Sequence, residues 1–188
     1  MPYISETEKI RPVIKKYLTG RIMDIGCGQD KVSQDAYGID ARKFPHTDFV
    51  TFDLYGLDQQ IPHLRKSMDV VYSSHVLEHI PNDVAAINEW SKFLKIGGYI
   101  ILYLPDDRWY DNEANHEHIR SFTYPQFLRF FKRAFDHLEV VESGEHHGND
   151  LYSFYIVARK NRELSSPLQN FKKKIKTRLK TIRARYFT

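Results

Sequence analysis

Three of the nine histidines stand where they could transfer a proton during a reaction. His75 follows a predicted buried strand, and His116 and His118 lie in the polar loop 105–120 after another strand. Because histidine titrates near neutral pH, each of the three is a candidate general base and thus a candidate catalytic residue. A structural role for His75, and a solvated surface position for the loop pair, are the alternatives.

The segment His116-Glu117-His118 also carries side chains of the type that bind metal ions. Zinc sites use three or four protein ligands, and the neighbouring sequence offers no clear third one. The sequence therefore predicts no metal site. Cys27, the single cysteine, lies between two glycines and is expected to pack there and not to act as a nucleophile.

A buried strand at Ile22–Ile25 runs directly into a Gly-x-Gly segment, Gly26 to Gly28. Glycines at the end of the first strand of an open α/β sheet let backbone N–H groups approach a ligand closely, which predicts a nucleotide-type cofactor site. The dinucleotide fingerprint needs a further glycine where this chain has Lys31. NAD and FAD are therefore not expected.

Two further predicted strands end in a carboxylate. Asp40 could accept both hydroxyls of a ribose, and Asp53 could accept a hydrogen bond from an exocyclic amine such as that of adenine. A lone acid after a strand is most often a turn or cap residue. The glycines after the first strand and the carboxylates after the next two strands together favour a nucleoside site.

These motifs resemble the class I S-adenosylmethionine-dependent methyltransferases, in particular the group with a VLEH segment after the fourth strand. The resemblance covers roughly residues 20–160, and its segments occur in the family's order. They are MDIGCG (23–28), YGID (37–40), FDL (52–54), MDVVYSSHVLEHIPN (68–82) and LKIGGYIILYLP (94–105).

The resemblance implies S-adenosyl-L-methionine as the cofactor and assigns residues to each of its parts. The residues so implied are Asp24, Gly26 and Gly28 around the methionine part, with Cys27 in the same loop; Asp40 at the ribose; Asp53 and Leu54 at the adenine; and Ser74 and His75 on the sulfonium side.

The fold that the resemblance implies is α/β: a Rossmann-like seven-stranded sheet, mostly parallel with an antiparallel last strand, and helices on both faces. Hydrophobic patterning independently predicts seven strands, at 22–25, 37–39, 49–52, 69–73, 99–104, 137–141 and 151–158.

Helices are predicted from capping signals and apolar spacing. A capping box at Ser5–Glu8 begins a helix of about 13 residues that ends by Gly20. Residues 81–94 are predicted to form a crossover helix, and another helix is expected to begin near Thr123. Only ten residues separate Gly26 from Tyr37, which leaves room for one or two helical turns. That side of the cofactor pocket is therefore either more open or covered by the N-terminal helix.

Charge divides the chain into an acidic body and a basic tail. Residues 1–160 carry a net charge of −4, and we predict that they form the methyltransferase domain. Residues 161–188, with a net charge of +8, are predicted to be a linker and a basic amphipathic helix at 168–186. This helix suits an anionic membrane surface. Packing on its own domain, or binding to nucleic acid or a protein, are the alternatives.

The longest purely apolar run has six residues, whereas a transmembrane helix needs about 20. A polar N-terminus and a lone cysteine predict a cytoplasmic protein, with the inner membrane face as a peripheral site for the tail.

The predicted function is methyl transfer to a small-molecule, saccharide or lipid-linked acceptor. A nucleic-acid-binding protein, which the acidic body disfavours, and a non-catalytic cofactor-binding partner are the alternatives.

Overall fold

A computed structural model describes residues 4–110, 115–148 and 151–164, and the structural statements below concern these residues. Short 3₁₀ turns supplement the helices and strands at Lys15–Tyr17, Pro62–Leu64 and Leu77–His79. The helices are α1 (Glu6–Ile14), α2 (Leu57–Gln60), α3 (Asp83–Ser91) and α4 (Tyr124–Ala134), and the strands are β1 (Ile22–Ile25), β2 (Tyr37–Asp40), β3 (Phe49–Val50), β4 (Met68–Ser74), β5 (Leu94–Pro105), β6 (Leu138–Gly148) and β7 (Leu151–Lys160).

The seven strands form one sheet in the order β3-β2-β1-β4-β5-β7-β6. The pairs from β3 to β5 are parallel, and β7 runs antiparallel to both β5 and β6. Ile25 is level with Ile39 of β2 and Ser73 of β4, so the chain leaves these three strands at one edge of the sheet. This topology confirms the predicted fold, and it places the switch in strand order, where ligands bind in such sheets, between β1 and β4.

Helices cover both faces of the sheet, and they do so unequally. On one face, α2, α3 and α4 enclose a core in which Trp90, Phe131 and Phe154 are fully buried. On the other face, Ile10 and Ile14 of α1 are fully buried in a smaller cluster. Burial of such an isoleucine contributes about 1.5–3 kcal/mol, which holds α1 firmly over the sheet.

Several boundaries differ from the predicted ones. The crossover helix begins at Asp83, because the Asn82 side chain accepts a hydrogen bond from the Ala85 N–H at 3.0 Å and caps the helix there. It ends at Ser91, since Leu94 already belongs to β5. The predicted third strand ends at Val50, and Phe52 leaves the sheet. β6 extends to Gly148 because its polar half pairs with β7 as far as Leu151.

No helix forms between β1 and β2, and α1 covers this connection. Arg11 bonds through Nη2 to Asp30 Oδ1 at 2.7 Å and through Nε to the Val32 carbonyl at 3.1 Å. The Ser5 hydroxyl, which caps α1, also bonds to the Asp30 carboxylate. Of the two alternatives for this side of the pocket, the structure shows cover by the N-terminal helix.

The predicted basic helix at 168–186 lies outside the described residues. It stays a prediction, as does its contact with a membrane surface. Among the described helices, none combines the length and the apolar character needed to cross a bilayer.

Candidate cofactor and acceptor site

The loop after β1 is shaped by two glycines in left-handed backbone conformations, Gly26 at φ +76° and Gly28 at φ +53°. A Cβ atom on Gly26 would lie 2.1 Å from Cγ2 of Val76, whereas one on Gly28 would meet no atom within 4 Å. The N–H of Gly28 donates to Asp40 Oδ2 at 2.8 Å, which ties the loop to the end of β2. The backbone at Gly28 therefore faces open space.

Two cavities open at this edge of the sheet, with volumes of about 590 and 500 Å³. The larger lies over the ends of β2 and β3, and the smaller lies between the loop and the first turn of α1. Gly26, Gly28, Phe44 and His75 line both. An elongated ligand could therefore extend from one cavity into the other.

Asp40, Phe52 and Leu54 form part of the wall of the larger cavity. The Asp40 carboxylate accepts one backbone N–H on each oxygen, from Gly28 at 2.8 Å and Arg42 at 2.9 Å, and each oxygen keeps a second lone pair for a ligand hydroxyl. The Phe52 side chain is 85% exposed, so its ring offers an apolar surface to a ligand. This wall suits a nucleoside.

The smaller cavity has an acidic group at the start of α1. Oε1 of Glu6 accepts hydrogen bonds from Lys9 Nζ at 2.6 Å and from the Tyr152 hydroxyl at 3.0 Å. Its Oε2 is buried and has no hydrogen-bond partner among the described residues. A cationic group such as an ammonium would satisfy this oxygen.

Cys27 and Ser74, both predicted to bind the cofactor, line the smaller cavity. Burial raises the pKa of the Cys27 thiol to about 11, so the thiol is uncharged at neutral pH, consistent with a packing role.

Asp24 and Asp53 line neither cavity. Asp24 lies buried beneath the loop, where Oδ2 accepts the Val32 N–H at 2.7 Å, and burial raises its pKa to about 7. Asp53 is exposed, and its Oδ1 accepts the N–H groups of Tyr55 and Gly56, both at 3.0 Å. Both carboxylates thus hold backbone segments that shape the site.

His75 lies where the two cavities meet, in a left-handed conformation (φ 52°) that is rare outside glycine. Its Nε2 is 3.1 Å from the Ser153 hydroxyl and 3.6 Å from Glu6 Oε2, and its Nδ1 is 3.4 Å from Glu78 Oε1. Burial lowers the pKa of His75 to about 3, so the ring is neutral at pH 7.

The other two candidate bases line neither cavity. His116 is exposed, while the side chain of His118 is only 5% exposed, with Nε2 4.0 Å from Glu78 Oε1. His79 packs edge-on against His118, with ring centres 4.8 Å apart. The structure thus brings together Glu78, His79 and His118 from two separate segments.

Two parts of the site are not predicted by the sequence pattern. Phe52 was expected within a strand, although it stands immediately before Asp53, already a candidate ligand residue. The first turn of α1, Ser5 to Glu8, was predicted to cap a helix that could cover the pocket, but none of its residues was predicted to line the site. The short connection between Gly26 and Tyr37 was the available signal, because it leaves space that another segment must fill.

Comparison with known proteins identifies the family. A model described as a methyltransferase domain matches residues 4–150. The chain belongs to this methyltransferase family. The predicted class I S-adenosylmethionine-dependent methyltransferase, with S-adenosylmethionine as cofactor, is confirmed.

Solved structures show the same fold at low sequence identity. A Burkholderia thailandensis 1,6-didemethyltoxoflavin-N1-methyltransferase, with 1,6-didemethyltoxoflavin and S-adenosylhomocysteine bound, is 18% identical (TM-score 0.62; 83% of this chain and 78% of that chain covered). A Thermotoga maritima methyltransferase, described as a possible histamine N-methyltransferase, is 16% identical (TM-score 0.62; 83% and 89%). A Haloferax volcanii methyltransferase in complex with the activator Trm112 is 13% identical (TM-score 0.59; 82% and 89%). A search of curated proteins found no match.

The residues present fit S-adenosylmethionine. The open space at Gly28 leaves room for close approach of a ligand, the Asp40 carboxylate retains acceptors for ribose hydroxyls, and Glu6 Oε2 lacks a partner that an ammonium group would supply.

Proposed function

We propose that the protein transfers the methyl group of S-adenosylmethionine to a small-molecule acceptor. The observation that carries this proposal is the pair of cavities at the carboxyl edge of the sheet, which share Gly28 and His75. The larger cavity takes the nucleoside, and the smaller one takes the methionine. The sulfonium then lies near the shared residues, where the acceptor must meet it.

Each end of the cofactor has its own partners. Asp40 binds the ribose, Phe52 and Leu54 pack against the adenine, and Glu6 accepts hydrogen bonds from the ammonium group. Bound S-adenosylmethionine supplies an electrophilic methyl group together with its own leaving group. The protein's contribution is therefore to position the acceptor in line with the methyl group and to exclude water.

His75 is the residue we place beside the acceptor, because it is the one candidate base that lines both cavities. An uncharged imidazole does not repel the sulfonium cation, and one of its nitrogens can accept a hydrogen bond from the acceptor. The rings of Tyr103 and Tyr152, with centres 5.4 and 6.0 Å away, hold it edge-on. His116 and His118 are the alternative bases for a hydroxyl acceptor.

The small-molecule class is favoured by the neighbours that act on compounds of this size, as their names state. A saccharide or a lipid-linked saccharide remains within the proposal, because a sugar ring is of comparable size to those compounds. A cytoplasmic location also stays part of the proposal.

The test is transfer of a labelled methyl group from S-adenosylmethionine to a panel of small amines, alcohols and sugars. His75→Asn is the informative variant, because asparagine tolerates the left-handed backbone. We expect turnover to fall about 100-fold while S-adenosylhomocysteine affinity changes little. His63→Asn, at an exposed site on the opposite edge of the sheet, is the matched control. Unchanged turnover in His75→Asn would remove His75 from the reaction.

A further inference from the structure

We propose that Glu78, His79 and His118 form a binding site for a divalent transition-metal ion. Each side chain offers one ligand atom, and the three atoms all lie within 4.8 Å of one another. Two imidazoles and a carboxylate are a donor set suited to Zn²⁺, Co²⁺, Fe²⁺ or Mn²⁺. Bonds of about 2.1 Å in a tetrahedral site place ligand atoms about 3.4 Å apart, so small side-chain rotations would close the site.

The His79 ring is already oriented as a ligand. Its Nδ1 lies 2.9 Å from the Glu117 carbonyl oxygen, which can only accept, so Nδ1 carries the proton. The lone pair is therefore on Nε2. Metal-bound histidines are commonly oriented by such a bond from the other ring nitrogen. Because the residue is exposed, an ion can reach it from solvent.

The burial of the Glu78 carboxylate is a second observation that points to a cation, independent of the spacing of the three ligand atoms. Its side chain is 0% exposed, and neither carboxylate oxygen has a hydrogen-bond partner among the described residues. Burying a carboxylate without a partner is costly, and native proteins pair such groups with hydrogen bonds or ions. His75 Nδ1 at 3.4 Å and His118 Nε2 at 4.0 Å approach Glu78 Oε1 without forming a hydrogen bond to it. A bound cation would satisfy the Glu78 carboxylate.

The backbone holds the third ligand in place. The Glu78 carbonyl accepts hydrogen bonds from the N–H groups of Ile119 and Arg120, at 2.9 and 3.1 Å. These bonds fix the segment that carries His118 against the 3₁₀ turn Leu77–His79 that carries the other two ligands. The site is therefore built from two segments that are joined independently of any ion.

The ion would border the cofactor site, because His79 and Glu117 also line the larger cavity. Three protein ligands leave at least one coordination position for another group, as in catalytic zinc sites. If the proposed function is right, an oxygen or nitrogen of the acceptor could take that position. This use of the ion rests on the proposed function, whereas the site itself does not.

The test is a Co²⁺ titration of the full, untagged chain after treatment with a chelator, followed by visible absorption. We expect one saturable Co²⁺ per chain, displaced by Zn²⁺. Since loss of an outer-shell partner alone costs 10–100-fold in affinity, loss of a direct ligand in His79→Ala or Glu78→Gln should cost about 100-fold or more. His63→Ala, an exposed histidine at the opposite edge of the sheet, should bind as the parent does.

Absence of Co²⁺ binding, or equal binding by His79→Ala and the parent, would overturn the proposal and leave Glu78 as a buried acid without an ion. Because His79 is exposed, its alanine variant should fold, and circular dichroism checks this. S-adenosylhomocysteine binding is measured on the same samples. A chain that binds the cofactor product but no Co²⁺ refutes the metal site and leaves the proposed function intact.

Discussion

Adding one methyl group at Gly26 and at Gly28 should have opposite consequences. At Gly26 the new Cβ would lie 2.1 Å from Val76 Cγ2, while at Gly28 it would meet no protein atom within 4 Å and would enter the cofactor cavity. Gly26→Ala should therefore damage the fold. Gly28→Ala should leave the fold nearly intact and interfere with the cofactor.

The magnitudes follow from the geometry. Alanine in a left-handed conformation costs about 1–2 kcal/mol, and reduced freedom of the unfolded chain offsets about 0.4–1 kcal/mol of that. Gly28→Ala should thus lose about 1 kcal/mol, which is about 2–4 °C in Tm. Gly26→Ala adds overpacking of about 1–3 kcal/mol, for a total of about 3 kcal/mol and a fall in Tm of about 6–12 °C.

Thermal melts and calorimetric titration with S-adenosylhomocysteine separate the two effects. We expect Gly28→Ala to weaken binding by about 10-fold or more, equivalent to about 1.4 kcal/mol. In the Gly26→Ala background, Val76→Ala should recover part of the lost stability because it removes the clashing methyl group. The reasoning is refuted if Gly28→Ala binds like the parent, or if both single variants lose equal stability.

Two further predictions concern neighbouring side chains. Burial raises the pKa of Asp24 from 3.8 to about 7, so between these values the folded protein holds a proton that the unfolded chain releases. The contribution of Asp24 to the free energy of unfolding should therefore fall as the pH rises from about 4 to 7, by up to about 4 kcal/mol, and Asp24→Asn should make the slope in urea unfolding smaller by this contribution. Equal slopes in both proteins would contradict the assignment. Phe52→Ala should leave Tm nearly unchanged, because the ring is 85% exposed, but should weaken S-adenosylhomocysteine binding by about 1–3 kcal/mol, or roughly 5- to 150-fold. A lower Tm with unchanged affinity would make Phe52 a packing residue.

The sheet could be predicted because its strands contain short runs rich in apolar residues, separated by segments with glycine, aspartate and proline. Ile22–Ile25 was predicted with the observed bounds, and Tyr37–Ile39 fell one residue short. Their ends also located Gly28 and Asp40, since the carboxyl ends of parallel strands share one edge. At these residues the local sequence pattern and the position in the sheet indicate the same site.

The remaining parts depend on contacts between distant segments, which a local pattern does not contain. Glu78 and His118 lie close together because the segment after β5 forms hydrogen bonds with the turn after β4. The sequence does not show this contact, so no further metal-binding side chain was predicted near His118. The polar half of β6 was predicted to be a loop because it has few apolar residues. It forms a strand because it pairs with β7. Phe52 was assigned to a strand because exposure of an aromatic ring is not visible in the sequence.

The most direct test of the cofactor site is calorimetric titration of the full chain with S-adenosylhomocysteine, with NADH as competitor. We expect one saturable site per chain that NADH does not compete for. Asp40→Ala should lower the affinity by about 10- to 150-fold, equivalent to about 1.5–3 kcal/mol, while Asp35→Ala, an exposed acid in the loop before β2, should bind as the parent does. No binding by the parent, displacement by NADH, or parental affinity in Asp40→Ala would contradict the assignment of the cofactor to these cavities.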